Sequence, residues 1–299
     1  MQPRYHGLLV IDKPGGLTSR DVVNRLQRCF APRTRIGHTG TLDPLATGVL
    51  VICAGNATRL VEYVQRMGKT YVARLRLGAE SDTDDADGRI TPTSITDQPP
   101  SRTGVEAVLR EFIGEVEQVP PAYSAALVTG RRAHDLARRG IEVDLKARRV
   151  QIFAIDLLGF NYPGLELRVD CGKGTYIRSL ARDLGRRLGC GAYVETLRRT
   201  RVGPFDAQNA LSLDSDASLV REHILPCASA VAELPHLHLS ADDISRLRHG
   251  QPVHCAGLVE ADEFAVFDQA QNLVAIASRA DENTLAPSKV LNWDEITSE

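Results

Sequence analysis

The sequence has no apolar run approaching the roughly 20 residues that a membrane-crossing helix needs, so no membrane span is expected. Met1–Lys13 has no apolar core of the signal-peptide kind, and a cytoplasmic protein is expected. Neither G-x-x-x-x-G-K-[ST] nor G-x-G-x-x-G occurs, which removes two familiar phosphate-cradling loops. The 6 cysteines (Cys29, Cys53, Cys171, Cys190, Cys227, Cys255) form no C-x-x-C pair. Free thiols are expected, with neither a disulfide framework nor a structural zinc. His38 and Asp43 are possible metal ligands, but no further ligands stand at zinc-site spacing. No cofactor and no metal are expected.

There is also little net charge, −2, in a chain whose 43% hydrophobic and 25% charged residues are ordinary for a soluble globular protein. The charge is unevenly spread. Val119–Arg149 has seven Lys/Arg against three Asp/Glu, and Lys173–Arg201 has eight against two. From Leu211 to the end the ratio reverses, five against fifteen. Basic segments in a near-neutral chain are the footprint of a local polyanion site. A solvated helix face would explain each segment taken alone.

What is there centres on Arg35–Leu50, RIGHTGTLDPLATGVL. Gly37, Gly40 and Gly48 allow unusual backbone angles or close approach to a ligand. Pro44 pushes Asp43 toward an extended backbone. A carboxylate is thus held in a glycine-lined loop, five residues after an imidazole. That layout suits a carboxylate nucleophile or base. It is also what an ordinary Asp-Pro turn looks like.

The flanking pattern predicts a mixed α+β chain. Gly7–Lys13 reads as a buried strand, and Thr18 or Ser19 caps a helix running to Phe30. Val49–Cys53 is a short strand and Ala57–Met67 a helix. Lys69–Gly78 alternates as a strand, with Tyr71, Ala73, Leu75 and Leu77 facing inward. Ser81–Gly88 fails as a calcium loop, because Ser94 occupies the position of the closing glutamate; it reads as a turn. Val105–Phe112 marks a helix, and Arg131–Arg139 a basic helix ended by Gly140. Arg149–Phe160 and Leu165–Cys171 are consecutive strands, and Lys173–Arg178 opens a helix to Gly189. From about Leu234 short strands such as Phe264–Phe267 and Leu273–Ala277 sit among acidic turns, which reads as a small β domain.

As a string, G-H-T-G-T-L-D-P-L-A-T-G-V-L closely resembles the signature of the TruB-type tRNA pseudouridine synthases. Four other segments match the same family: Lys13-Pro14 with its glycine turn, Lys69-Thr70-Tyr71-Val72-Ala73, C-G-K-G-T-Y-I-R-S-L around Arg178, and GAYVETLRRT around Leu197. P-P-x-Y-S-A…G-R-R-A…L-A-R-x-G over 118–149 resembles the family's RNA-gripping, thumb-like insertion. Leu127 stands there where the family often has Lys, and His134 where it often has Tyr. The resemblance covers about Gly7–Gly203.

The resemblance implies a pseudouridine synthase fold. That is a mixed, largely antiparallel sheet with flanking helices over 1–233, followed by a β-rich, PUA-like module over 234–299. It implies that Asp43 is the catalytic residue, nucleophile or ribose-side base. Arg178 would pair with Asp43 through its planar fork. Tyr71 would stack on the target uracil and move a proton at the base. His38 and Leu197 would be substrate-binding, His38 filling the space left in the RNA. Lys13 is read as support beneath the catalytic loop, the alternative being contact with a substrate phosphate. Arg131 and Arg132 would bind RNA.

The implied activity is isomerisation of uridine to pseudouridine at position 55 in the T loop of tRNA, on a base flipped out of the loop. The T stem-loop is the expected partner. A monomer with no obligatory protein partner is expected. Two rivals stay open, a guide-RNA-dependent pseudouridine synthase subunit and a tRNA-folding chaperone acting by binding.

Overall fold

The computed structural model describes residues 5–93, 98–124, 127–128, 131–137, 139–141 and 143–291. β1 (Gly7–Lys13) lies antiparallel to β3 (Thr47–Ala54), and both are buried almost throughout. Their unbroken apolar runs follow from having both faces covered. Leu9, Ile11, Leu50 and Ile52 face one core, while Leu8, Val10, Val49 and Val51 face another. Between the two strands come α1 (Ser19–Leu26) and the short β2 (Ile36–His38).

Thr18 and Asp21 form the capping box of α1. The helix stops at Leu26 and tightens into a 3-10 turn over Gln27–Cys29, short of the expected Phe30. Pro32 lies two residues on and disfavours helical backbone at Ala31. The segment expected as one helix over Ala57–Met67 is likewise divided. A 3-10 stretch, Gly55–Leu60, precedes α2 (Val61–Arg66).

β4 (Lys69–Leu77) alternates as predicted, with Tyr71, Ala73, Leu75 and Leu77 buried and Arg74 and Arg76 exposed. The hairpin of β5 (Ala79–Ser81) and β6 (Ile90–Pro92) encloses the acidic turn. α3 (Arg102–Arg110) and β7 (Gly114–Gln118) follow. The basic segment differs from expectation. Arg131 and Arg132 form β9, paired with β8 (Leu127–Val128), and α4 spans only Ala133–Ala137. Backbone pairing of the two arginines delays the helix to Ala133. The side chains of Leu127, Arg131, Arg132 and His134 lie outside the described residues.

β10 (Arg148–Asn161) and β11 (Gly164–Cys171) form a long hairpin. α5 (Ile177–Arg187), β12 (Ala192–Val202), β13 (Phe205–Asp206), β14 (Leu211–Ser212) and α6 (Ala217–Glu222) follow. The strands make a ten-stranded sheet in the order β14-β1-β3-β12-β4-β11-β10-β7, with β2 on β3 and β13 on β12. β12 joins two halves of this sheet. It pairs with β4 over nine residue pairs but with β3 through two, Arg198 with Thr47 and Arg199 with Gly48. Gly48 makes that seam possible. Its φ is +98°, and a Cβ there would lie 2.2 Å from the Arg199 carbonyl oxygen.

A second, five-stranded sheet begins at His236. It comprises β15 (His236–His238), β16 (Val253–His254), β17 (Glu263–Phe267), β18 (Leu273–Asp281) and β19 (Thr284–Val290), with α7 (Ala241–Arg248) packed on it. It is not a loose appendage. Ala265, Phe267, Leu273, Ile276 and Leu291 share one core with Leu8, Val10, Val49 and Val51 of the large sheet. Polar contacts rim that core: Tyr63 donates to Glu263 at 2.9 Å, Arg66 pairs with Glu263 at 2.6 Å, and Lys289 pairs with Glu62 at 2.6 Å. No helix among the described residues is long and apolar enough to cross a membrane.

A core shared in this way predicts joint unfolding. Phe267→Ala, at a side chain in the common core, should lower stability by about 3 kcal/mol. Urea denaturation followed by circular dichroism and by NMR amide signals from each sheet should give coincident transitions in wild type and variant. Two separate transitions would mean that the sheets fold independently.

Candidate active site

The site lies at the β3–β12 seam. The loop between β2 and β3 carries Asp43 and is pinned from several sides. Ser19 Oγ receives the Leu42 N–H at 2.8 Å and donates to the Leu42 carbonyl at 3.1 Å. The Gly16 N–H donates to the Pro44 carbonyl at 2.8 Å. From below, the Lys13 ammonium donates to the carbonyls of Pro14 (2.9 Å), Leu17 (2.7 Å) and Pro44 (3.3 Å).

Lys13 is fully buried, and its three N–H bonds each meet a carbonyl. Lys13, expected among the substrate-binding residues, stands here beneath the loop with its ammonium on backbone carbonyls. Burial lowers its ammonium to about 8, against the pull of Asp43. Lys69, whose ammonium donates to the Gln65 and Met67 carbonyls, is also lowered by burial to about 8.

Asp43 meets Arg178 from the first turn of α5. Asp43 Oδ2 is 2.9 Å from Arg178 Nε, an ion pair whose N–H is off the line of an ideal hydrogen bond. The fork is not bidentate toward Asp43, contrary to expectation. Nη1 is 3.3 Å from Asp85 Oδ2 and donates to the Thr83 carbonyl at 3.0 Å. Nη2 donates to the Tyr123 carbonyl at 3.0 Å. One guanidinium, 4% exposed, thus ties the Asp43 loop to the acidic turn and to the start of the thumb-like segment. Arg182, one turn further along α5, repeats the pattern by pairing with Asp84 at 2.8 Å.

Asp43 keeps 30% of its side chain open. The protein around it pushes its carboxyl above the usual carboxylate range. Burial is the largest cause, Arg178 opposes it, the nearby Asp85 charge adds to it and Lys13 opposes it.

Asp43 and Arg178 stand between two cavities. The first, of about 410 Å³, is lined by Tyr71, Leu197, Arg199, Lys69, Lys173 and the 39–43 loop. The second, of about 460 Å³, is lined by His38, Arg20, Asp85, Asp87, Tyr123 and Pro44. The expected residues therefore divide. Tyr71 and Leu197 share a cavity on one side of Asp43, and His38 lies on the other. Tyr71 is nearly buried, and burial raises its hydroxyl while Arg199 opposes the rise.

Sequence reasoning missed Asp85 and Arg199. Asp85 was hidden in a stretch that reads as a solvated turn. Arg199 had a signal: on a strand it falls on the same face as Leu197. Arg198 takes the opposite face, where it binds Asp12 bidentately at 2.9 and 2.8 Å. No group of three or more His, Cys, Asp or Glu among the described residues is placed to hold a metal ion.

Comparison with known proteins places this geometry. Residues 27–177 match the TruB family pseudouridylate synthase N-terminal domain. Residues 178–232 match the tRNA pseudouridylate synthase B C-terminal domain, and 235–291 match the C-terminal module of pseudouridine synthase II TruB. The chain is a pseudouridine synthase. More particularly, it belongs to the TruB family of pseudouridylate synthases.

Among its relatives, tRNA pseudouridine synthase B of Dehalococcoides mccartyi is 41% identical over 95% of this chain and 96% of its own. The protein of the same name from Rhodospirillum rubrum is 43% identical over 96% of each. Among solved structures, a Cbf5–Nop10–Gar1 complex contains a chain that superposes with a TM-score of 0.74. It is 26% identical and covers 97% of this chain and 86% of its own.

The lysine contacts carry a prediction for stability against pH. Lys13 has a folded-state pKa of about 8 against the ordinary 10.5. Between these values the unfolded chain holds the extra proton, so the Lys13 contribution to stability rises with pH over that window. Lys13→Met should therefore flatten the rise in stability between about pH 8 and 10.5, read from urea midpoints. Equal slopes in variant and wild type would contradict the depressed value.

Proposed function

We propose that this synthase isomerises uridine to pseudouridine at position 55 in the T loop of tRNA. The reading is supported by relatives around 40% identical that are named tRNA pseudouridine synthase B. The observation that carries the site assignment is the Asp43–Arg178 pair set between two cavities, with Tyr71 and Leu197 on one side. Residues 1–233 are read as the catalytic unit and 234–299 as an accessory module. The protein works in the cytoplasm, as a monomer and without a guide RNA.

A base inside a folded T loop cannot be reached, so it must be extruded. The cavity beside Tyr71 suits a flat pyrimidine: Leu197 offers an apolar wall and Tyr71 an aromatic one. His38, on the other side, occupies the space the base leaves in the RNA. The uracil is detached from its ribose, turned, and rejoined through carbon 5, so the reaction has no net redox change. Asp43 acts on the ribose side as nucleophile or base. Arg178 favours its ionised form and fixes its direction. After rejoining, the carbon 5 proton must leave, and Tyr71 is the group on that side. Arg131 and Arg132, with the other basic residues of 118–149, draw in phosphates.

Purified protein incubated with a T-arm stem-loop and no other RNA should form pseudouridine. A requirement for a guide RNA would favour the subunit reading. Asp43→Asn should abolish turnover while binding stays within about tenfold, a change of roughly 1.4 kcal/mol. Multiple turnover by that variant would remove Asp43 from the chemistry, and unaltered biological effect without turnover would favour the chaperone.

The pH profile gives an independent check. Because Asp43 must be ionised and its carboxyl is raised, turnover should fall on acidification with a midpoint above the ordinary Asp value of about 3.9. Arg178 is the chief opposing charge. Arg178→Lys, which loses the close Nε contact, should move that midpoint further up and lower turnover more than affinity. A midpoint that stays put would show that Arg178 does not act on Asp43.

A further inference from the structure

The cavity beside Tyr71 holds more positive charge than a neutral uracil calls for. Among the described residues, Lys69, Lys173, Arg178 and Arg199 line it against a single carboxylate, Asp43. Three of these cations are accounted for. Arg178 is shared between Asp43, Asp85 and two carbonyls. Arg199 donates to the Val49 and Gly40 carbonyls. Lys173 is exposed to solvent.

Lys69 is different. It stands two residues before Tyr71 on β4, so the two side chains leave the same face of the strand, and both residues line the cavity. Its ammonium donates to the carbonyls of Gln65 (2.6 Å) and Met67 (2.5 Å), acceptors left open where α2 ends. An ammonium has three N–H donors. The third meets no acceptor among the described residues. Both engaged donors are held by one short segment, which leaves the third on the other side of the nitrogen. With its ammonium lowered only to about 8, Lys69 is still mostly charged at neutral pH. The one carboxylate lining the cavity already faces Arg178.

The proposed reaction makes an anion of the base at one stage only. The bond between C1′ and N1 breaks, and its electron pair leaves with the base. Asp43 either forms a bond to C1′ or takes the proton from C2′. On both routes uracil departs negatively charged, with the charge spread over N1, O2 and O4. The ring turns and C5 attacks C1′, displacing Asp43 or accompanied by return of the proton to C2′. Loss of the C5 proton and gain of one at N1 then give neutral pseudouridine. A cation fixed beside the base stabilises the detached anion more than the bound uridine, which is how a barrier is lowered.

We propose that Lys69 is a catalytic residue that stabilises the detached uracil as its anion, its third N–H donating to a base oxygen while the ring turns. This rests on the reading of the Tyr71 cavity as the place of the base. The rival task for such a cation, holding a backbone phosphate of the RNA, would act on affinity rather than on detachment.

The test measures detachment directly. T-arm stem-loops carry uridine or 5-fluorouridine at the target position, and loss of the original nucleoside is followed in single turnover with the full chain in excess. Fluorine stabilises the base anion by itself, so that base depends less on a cation. Lys69→Met keeps the apolar stem and removes the charge. It should slow the uridine reaction roughly a hundredfold and the 5-fluorouridine reaction by about tenfold at most, with stem-loop affinity within about threefold of wild type. Equal or greater slowing on 5-fluorouridine overturns the proposal. So does a loss confined to affinity, which marks a phosphate contact. No reaction of wild type with the uridine stem-loop overturns instead the functional reading on which the proposal rests.

A second measurement needs no substitution and stands if Lys69→Met does not fold. 5-Nitrouracil is an anion at neutral pH, whereas uracil is neutral. Titrated into the wild-type chain and followed by NMR, 5-nitrouracil should bind at least about tenfold more tightly than uracil, and the T-arm stem-loop should displace it. Equal affinities, no binding of the anion, or binding that the stem-loop leaves in place overturns the proposal.

Discussion

A guanidinium cannot shed its proton inside a protein, so burying one obliges the structure to surround it with acceptors. Arg178 imposes that obligation at the centre of this fold. It is met by two carboxylates, Asp43 and Asp85, and by the carbonyls of Thr83 and Tyr123. These come from three segments that share no secondary structure. The Asp43 loop, the acidic turn and the segment leading into the basic insertion hold their places because each supplies an acceptor to the same cation. Removing any one partner would leave charge in a medium that solvates it poorly. The direction of Asp43 follows from the same arrangement. With the rest of the fork engaged elsewhere, only Nε is left to approach it, and the carboxylate stays partly open toward the two cavities.

The second constraint is the narrow join between the halves of the large sheet. Strand pairing alone contributes two residue pairs there. Side chains reinforce it: Arg198 clamps Asp12 on one face, and Arg199 bonds Val49 and Gly40 on the other. A sheet splayed at a seam gives a cavity, and half-buried Arg198 and buried Arg199 brace its two faces. The candidate site thus occupies the place where regular hydrogen bonding gives out and side chains take over the work of cohesion.

Much of this was legible from residues alone. The alternation of Tyr71, Ala73, Leu75 and Leu77 marked the strand and its inner face, and the Thr18-Ser19 pair marked the start of α1, with Thr18 proving to be the cap. The glycine-lined loop singled out Asp43, and the family resemblance linked it to Arg178, 135 positions away in the chain. What was not legible depended on geometry between distant segments. The three carbonyls that meet the Lys13 ammonium come together only in the fold. Asp85 sits in a run of acids that any solvent-exposed turn could carry. The arginines at 131 and 132 have good helix propensity, which strand pairing overrides. The two sheets read as separate because composition changes between them, whereas the apolar faces that join them lie on strands over two hundred residues apart.

The central position of β12 has a consequence for synthesis on the ribosome. Strands β1, β3 and β4 emerge early, but the strand that belongs between β3 and β4 follows more than a hundred residues later. Until Ala192–Val202 leaves the exit tunnel, the nascent chain presents unpaired β-edges rich in valine and leucine, the kind of surface that invites pairing with the wrong neighbour. Folding of the large sheet is then completed by inserting a strand into a waiting gap rather than by adding one at its margin. Such a topology, with its long-range closures, belongs to the slow end of the folding spectrum. A nascent chain of this kind has most need of a chaperone in the interval between the appearance of β4 and the arrival of β12.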